Sequence, residues 1–452
     1  MVWNALWNRR TPEWNPGLRH EEKVARVVAQ LRAQRGDRPL SLRKRATSHQ
    51  VPKPGDRKYT DDKIDLTDLD RILAIDPVAR TCTCEPGVTF CDLVDATLPH
   101  GLVPLVVPEL RTITVGGAVS GCSIESMSFR CGGFHDTCLE YEVIASDGRV
   151  LVCTPENEHR LVFEMLHGSF GTLGILSRLT FRLVPAKPFV ELAYERHGSA
   201  EAYREAIARH AARQDVDFMD GIIHGPDKYV LSLGRFVERA PYSSRYEWVK
   251  AYWETTAERT QDYFKTADYF FRYDRGVTNV RPHSKLGRLL VGPFIRSNEL
   301  LRIAEKVHWL LPSERPTVTV DVFVPYSRFE DFMGWYWREF GLHPLWCVPY
   351  RPRRYPWLAD EWWAGFQDEL IIDLAIYGYP QKNGRNYYRM LEEKLQELNG
   401  MKTLISFNYY SEDEFWRTWS RPNYEAAKQI TDPRNLFRDV YTKTCRAARG
   451  LD

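Results

Sequence analysis

Residues 112–133, TITVGGAVSGCSIESMSFRCGG, set glycine and small residues in a run with neither helical nor strand periodicity. Glycine has no side chain to hold backbone N–H groups away from phosphate oxygens, and it tolerates the positive φ angles that shape an anion-binding concavity. Gly116 and Gly117 are the leading candidates for such contact. A second loop, residues 168–174, has the spacing GxxGxxG just before a strand expected to begin at Ile175. The chain contains neither the GxGxxG of a Rossmann site nor the GxxxxGK[ST] of a P-loop, so any dinucleotide must be held by another fold. On spacing alone, the same glycines serve equally well as turns of an ordinary α/β domain.

Beside the first loop stands Glu125, where burial would raise a carboxyl pKa and make it a candidate acid. The plainer alternative is that it binds backbone amides or Arg130 at a turn. Cys82 and Cys84 share one face of a strand but have no second pair at zinc spacing. There is no HExxH, so no metal site is expected, and His135 and Cys131 are set aside as ligands.

The elements that must position these residues follow from pattern. Val24, Val27, Val28 and Leu31 predict an amphipathic helix over residues 21–35, stopped by Gly36. Two short β runs flank Asp76-Pro77, and Thr89 opens a helix that His100-Gly101 closes. Asp147-Gly148 joins residues 142–145 and 150–153 in a hairpin. Ile175, Leu179, Phe181 and Leu183 mark a half-buried strand, and Pro185 and Pro188 mark a boundary. Beyond them Trp335, Trp337, Trp346, Trp357, Trp362 and Trp363 crowd into one short stretch, which signals a different domain. The tail, residues 424–448, reads as helical with a break at Asp432-Pro433.

At 452 residues the chain should hold two or three domains. With 62 basic and 60 acidic residues there is no whole-protein field for nucleic acid. Nine cysteines, an odd number in a long chain, suit a reducing compartment. The N-terminal residues lack a signal-peptide apolar core, so a cytoplasmic protein is expected.

Taken in order, Arg43-Lys44-Arg45-Ala46-Thr47-Ser48, a strand near Leu73, the helix at Thr89, TVGG, the Asp147-Gly148 hairpin and GSFGTLGIL resemble the FAD-binding domain of the vanillyl-alcohol-oxidase group, continuously over residues 40–184. The resemblance implies an α+β fold with an FAD-binding domain at residues 1–190, a substrate or cap domain at 191–420, and a segment at 421–452 that returns to the FAD domain. It implies Thr47, Ser48, Gly116, Gly117, Ser120 and Gly121 near phosphate, and Gly171, Thr172, Gly174 and Ile175 around the rest of FAD. Ser126 and Gly132 belong to the same cofactor set. Lys44 and Ala46 stand where the group usually has glycine. Thr47 stands where covalent members carry histidine, so non-covalent FAD is expected; a two-residue shift would bring in His49.

Within the group, residues 100–132 (with PLVVPEL and Ile124-Glu125-Ser126), 318–329, 343–352, 370–378, 411–416 and the closing VYTKTCRAAR resemble flavoproteins that reduce isolated double bonds of lipids: the 24-dehydrocholesterol reductases and bacterial methylene-fatty-acyl reductases. This implies NADPH or NADH as reductant and a sterol, isoprenoid or methylene-branched acyl substrate. Flavin delivers hydride to one carbon and the protein a proton to the other, with Glu125 the first candidate acid. Tyr409, expected in a strand before Ser411, matches an aromatic position that faces substrate, or else is core. Arg272 and Arg275 align with arginines suited to nicotinamide phosphates or an anionic head, or lie on a solvated face. Lys428, with Asp432-Pro433 and Leu436-Phe437, resembles a closing motif whose lysine lies near flavin, or is a surface charge at a helix end. The tryptophan-rich run with Arg338, Arg351, Arg353 and Arg354 either seats the protein peripherally on a bilayer or lines a lipid pocket. Two other readings stay open: an FAD-dependent oxidase or dehydrogenase of an alcohol or sugar, and a lipid-binding relative that has lost its flavin. Oligomeric state is open.

Overall fold

Apolar residues at alternate positions bury one face of a strand and leave the other to a second layer, and the chain uses this device in two antiparallel sheets. A computed structural model describes residues 17–36, 38–46, 50–246, 251–274, 276, 317–382 and 384–452. The expected N-terminal helix spans His20–Ala33, with Val27 and Leu31 fully buried. A parallel pair follows, β1 (Leu40–Arg43) with β2 (Asp62–Asp65).

The first sheet contains β3 (Ile72–Asp76), β4 (Thr81–Cys84), β5 (Leu102–Pro104), β6 (Cys138–Ile144), β7 (Val150–Cys153) and β8 (Ile175–Pro185). Its order is β3-β4-β8-β6-β7, with β5 also on β8. Ile175, Ser177, Leu179, Phe181 and Leu183 bury one face of β8. The β6–β7 hairpin turns where expected, and its Gly148 takes φ +86°, a conformation glycine adopts without strain. Thr89 caps the helix Phe90–Thr97, accepting the Asp92 N–H.

The second sheet holds β9 (Phe189–His197), β10 (Phe218–Gly225), β11 (Lys228–Val237), β12 (Gln261–Lys265), β13 (Val318–Pro325), β14 (Leu345–Tyr350), β15 (Ile371–Tyr379) and β16 (Met401–Lys402). The order is β12-β9-β11-β10-β14-β15-β13-β16. Its outer face is aliphatic: Met219, Ile223, Val320, Val322, Val324, Ile372, Leu374 and Ile376 pack in one core with Ala206 and Ile207 of the helix Ala200–Arg213, Phe332 and Tyr336 of the helix Phe329–Glu339, and Leu391 and Leu395 of the helix Tyr387–Glu397. The inner face adds Leu192, Phe218, Ile222, Trp346, Val348 and Ala375 to the core of the first sheet, alongside Phe90, Val115, Phe134 and Phe181.

The approach of the helix Ala200–Arg213 to β10 is close enough that a Cβ on Gly221 would lie 2.0 Å from the Tyr203 hydroxyl. Gly221→Ala is therefore expected to lower stability by about 1–3 kcal/mol, the usual penalty of an overpacked core, measured as a shifted denaturant midpoint.

The C-terminal segment returns to the first sheet. The helix Arg421–Thr431 ends at Asp432, Ser146 N–H donates to the Thr431 carbonyl at 2.8 Å, Leu40 N–H to the Leu436 carbonyl at 2.8 Å, and Arg434 to the Leu31 carbonyl at 2.9 Å. One local expectation needs correction. Tyr409 lies in a non-strand stretch, held because its N–H donates to Glu392 instead of to a neighbouring strand. Each of the six clustered tryptophans is buried or half-buried, as in the stack of Trp362 on Phe366 and the packing of Trp335 on Phe340. No helix among the described residues is long and apolar enough to cross a membrane.

Candidate active site

The glycine-rich run folds as a short helix, Val115–Ser120, capped by Thr114, whose hydroxyl accepts the Gly117 N–H at 3.2 Å. Its amides are already committed. Gly116 N–H donates to the Pro86 carbonyl at 3.0 Å, and Gly121 N–H to that of Gly117 at 2.9 Å. The Ser120 hydroxyl donates to the Gly116 carbonyl at 2.9 Å. A Cβ on Gly116 would lie 2.5 Å from Pro86 Cβ, so close packing, and not a free amide, demands this glycine. The run offers a bare surface; the expectation of free N–H donors is corrected.

In the second loop Gly171 and Gly174 take φ +70° and +80°. Thr172 and Ile175 are fully buried and are corrected from ligand to core: the Thr172 hydroxyl donates to the Ser169 carbonyl and accepts from Tyr424, and Ile175 packs with Val27 and Leu31. Gly132 takes φ +79° with the Asp136 carboxylate where a Cβ would lie, a turn and not a ligand contact. Lys428 braces the C-terminal segment: its ammonium donates to Asp432 at 2.8 Å and to the carbonyls of Phe437 at 2.8 Å and Thr172 at 3.4 Å. Tyr409 is half-buried, with the Arg449 guanidinium 4.5 Å above its ring. Thr47, Ser48, His49 and Arg275 lie outside the described residues.

Two lysines stand out: Lys53, in the basic, proline-containing stretch 40–58 that composition marks as a ligand-binding loop, and Lys443, which no pattern singled out. Lys53 is 3% exposed, and its ammonium donates to the Ile405 carbonyl at 3.4 Å and lies 5.9 Å from the Phe407 ring. Burial, reinforced by Lys58, pushes it down to about 7. Lys443 is half-buried, donates to the Phe170 carbonyl of the second loop at 2.7 Å, and is pushed down to about 8 by burial, then by Lys44. No carboxylate among the described residues forms an ion pair with either. Cations placed so in a low-dielectric site are stabilised by an anion arriving from outside. The signal was present in VPKPGD and VYTK, but no spacing rule reads it.

Arg272 is 4% exposed, which corrects the solvated-face reading, and its Nε has no hydrogen-bond partner. It donates to Asp220 at 2.8 Å and pairs with Glu125 at 3.2 Å. Tyr269, Tyr273 and Tyr252 place their rings 4.2, 4.8 and 5.4 Å from its guanidinium. Tyr273 and Trp346 also donate to Asp220, at 2.9 and 3.0 Å. Glu125 further accepts the Ser126 N–H, and Ser126 accepts the Tyr269 hydroxyl at 3.1 Å, so both residues join the glycine-rich loop to the second sheet. Burial raises the Glu125 carboxyl and Arg272 opposes the rise. The carboxyl is raised on balance, and its Oε1, though ion-paired, makes no hydrogen bond.

Next to this clamp, facing the first sheet's residues, the second sheet presents carboxyl groups where an apolar face would be expected. Asp321 on β13 accepts the Tyr377 hydroxyl of β15 at 2.6 Å and is raised to about 6 by burial. Asp373 on β15 is 2% exposed with one carboxyl oxygen lacking any partner; burial, then Asp321 and Glu109, holds it well above the usual range. Glu109, from the segment preceding the glycine-rich run, is raised to about 8 by burial, then by Glu125 and Asp321. These groups border a junction between the two sheets, a common location for ligand sites.

An FAD-binding domain occupies the N-terminal part of the chain, which is an FAD-dependent oxidoreductase. Residues 18–154 match the family model described as FAD binding domain. The chain is 27% identical to Delta(24)-sterol reductase of Homo sapiens, over 95% of this chain and 87% of the relative. It is 24% identical to Delta(24)-sterol reductase of Pisum sativum, over 96% and 85%. It is also 34% identical to decaprenylphosphoryl-beta-D-ribose oxidase of Mycolicibacterium smegmatis, over 27% of each chain. FAD fits the residues present: Lys53 and Lys443 supply cations without an anion, and the left-handed glycines bring the second loop's backbone next to Lys443.

Proposed function

We propose that this enzyme takes electrons from NADPH or NADH and saturates an isolated carbon–carbon double bond in a lipid, a sterol or isoprenoid side chain or a methylene-branched acyl chain. The observation that carries the reading is the inner face of the second sheet, where carboxyl groups of raised proton affinity sit among aromatic walls and oppose the glycine-rich loop; near-full-length similarity to sterol reductases supports it. Bound reduced flavin supplies the hydride. Lys53 and Lys443 hold the anionic parts of the cofactor. Arg272, Asp220 and Glu125 lock the second sheet to the glycine-rich loop. Trp346 and Tyr377 exclude water from the alkene. The enzyme is proposed to be cytoplasmic, with its lipid presented at a membrane surface. A second reading, oxidation of an alcohol or sugar, is supported by the partial similarity to the decaprenylphosphoryl-ribose oxidase.

The test is the visible spectrum of the anaerobic holoenzyme. Flavin absorbance is expected to bleach with NADPH or NADH and to return with a 24-unsaturated sterol or a methylene-branched acyl lipid. Flavin that stays oxidised with both nucleotides but bleaches with an alcohol would establish the second reading instead.

A further inference from the structure

An isolated alkene has no carbonyl to stabilise the charge that hydride addition leaves, so a proton must reach the second carbon during the step, from a group held where the lipid excludes water. Glu125 is ion-paired with Arg272 at 3.2 Å. Four other groups lie near it at the same junction. Asp321 and Tyr377 share a hydrogen bond between adjacent strands. In the β13–β15 ladder Asp321 pairs with Ala375, which places Asp373 and Tyr377 two positions to either side on the same face. Asp373 is buried with an orphaned oxygen. Glu109 faces them from the first sheet's side, and its carboxyl feels Glu125, Asp321 and Arg272.

We propose that Asp321, oriented by Tyr377 and backed by Asp373 and Glu109, is the general acid that protonates the substrate alkene. This rests on the alkene-reductase reading above. In the step, the π bond breaks and two C–H bonds form, one from the flavin hydride and one from the Asp321 carboxyl proton. The alkene is reduced by two electrons that a nicotinamide nucleotide gave to the flavin. The carboxylate left behind regains its proton from solvent through the half-buried Glu109.

The charged and titratable groups facing Asp321 are Tyr377 and Asp373 on β15 and Glu109 across the junction; Lys402 on β16 is engaged with Glu392 and the Phe407 carbonyl. Interacting carboxyls titrate as a set. Removing one relieves like-charge repulsion, so the others lose protons at lower pH.

The experiment uses holoenzyme reduced anaerobically with NADPH or NADH and then mixed rapidly with a 24-unsaturated sterol or a methylene-branched acyl lipid, following flavin reoxidation from pH 5 to 9. Wild-type reoxidation is expected to slow as pH rises past the acid's range. Asp321→Asn is expected to slow it roughly 10²–10⁴-fold, the usual contribution of a general acid. Glu109→Gln is expected to move the alkaline limb about one pH unit lower. If Asp321→Asn reoxidises within about 3-fold of wild type, the assignment of Asp321 is wrong. If that variant fails to fold, an unmoved limb in Glu109→Gln overturns the proposal in its place. If reduced wild type is never reoxidised by either alkene, the functional reading fails and the acid falls with it.

Discussion

Arg272→Met is expected to destabilise the holoenzyme by about 3–5 kcal/mol, the cost of breaking a buried ion pair by removing one partner. Methionine nearly matches arginine's stem in length, so little packing is lost, but Asp220, fully buried, and Glu125, 2% exposed, remain without their cation. With the guanidinium gone, only burial acts strongly on Glu125, and it raises the carboxyl. A carboxyl raised in the folded state makes that state bind protons more tightly than the unfolded chain. The stability it retains at low pH is lost as pH rises above the unfolded value of about 4. The variant should therefore recover part of its deficit near pH 5 and be weakest above pH 7. Denaturant midpoints across that range, read by intrinsic tryptophan fluorescence because Trp346 donates to Asp220, check both the size and the sign. A deficit below about 1 kcal/mol at pH 8 would mean that the clamp contributes no more than an exposed pair.

Lys443→Met should raise the dissociation constant for FAD roughly 10–100-fold. A hydrogen bond to a charged group is worth about 1.5–3 kcal/mol, and about 1.4 kcal/mol is tenfold in affinity. The ammonium is held down to about 8 by burial and neighbouring lysines in the protein alone. An arriving anion raises it, so the complex binds a proton more tightly than the apoprotein. Wild-type affinity is then full below pH 8 and falls as pH rises beyond it, whereas Lys443→Met should lack that dependence. Titration of apoprotein with FAD, followed by quenching of flavin fluorescence at pH 7 and pH 9.5, measures both effects. Equal affinities for wild type and variant at pH 7 would show that Lys443 serves only to hold the Phe170 carbonyl.

Exposure and bond partners separate these residues from the ones that pattern reading favoured. Lys428 and Lys443 are both lysines of the C-terminal segment, yet Lys428 has Asp432 at 2.8 Å and Lys443 has only a carbonyl. Glu125 and Asp321 are both acids at the same junction, yet one faces an arginine and the other a tyrosine.

What the chain by itself determined was local. The helix His20–Ala33, the Asp147-Gly148 hairpin, the long strand β8 and the capped helix after Thr89 all follow from apolar period and turn chemistry acting over a few residues. The FAD-binding class was legible too, because glycine-rich loops recur in a fixed order between such elements. Tertiary structure alone decided which side chains meet. Trp346 lies 126 residues from the Asp220 it hydrogen-bonds, and Tyr269 lies 143 from Ser126, distances over which periodicity carries no information. It also decided which glycine is a ligand surface and which is a packing contact, since Gly116 is shaped by Pro86 thirty residues earlier in the chain. Finally, it decided which titratable groups are buried. A lysine or carboxyl acquires an unusual proton affinity only when distant strands and loops close over it, and for Lys53, Lys443, Asp321 and Asp373 that closure is made by residues remote in sequence.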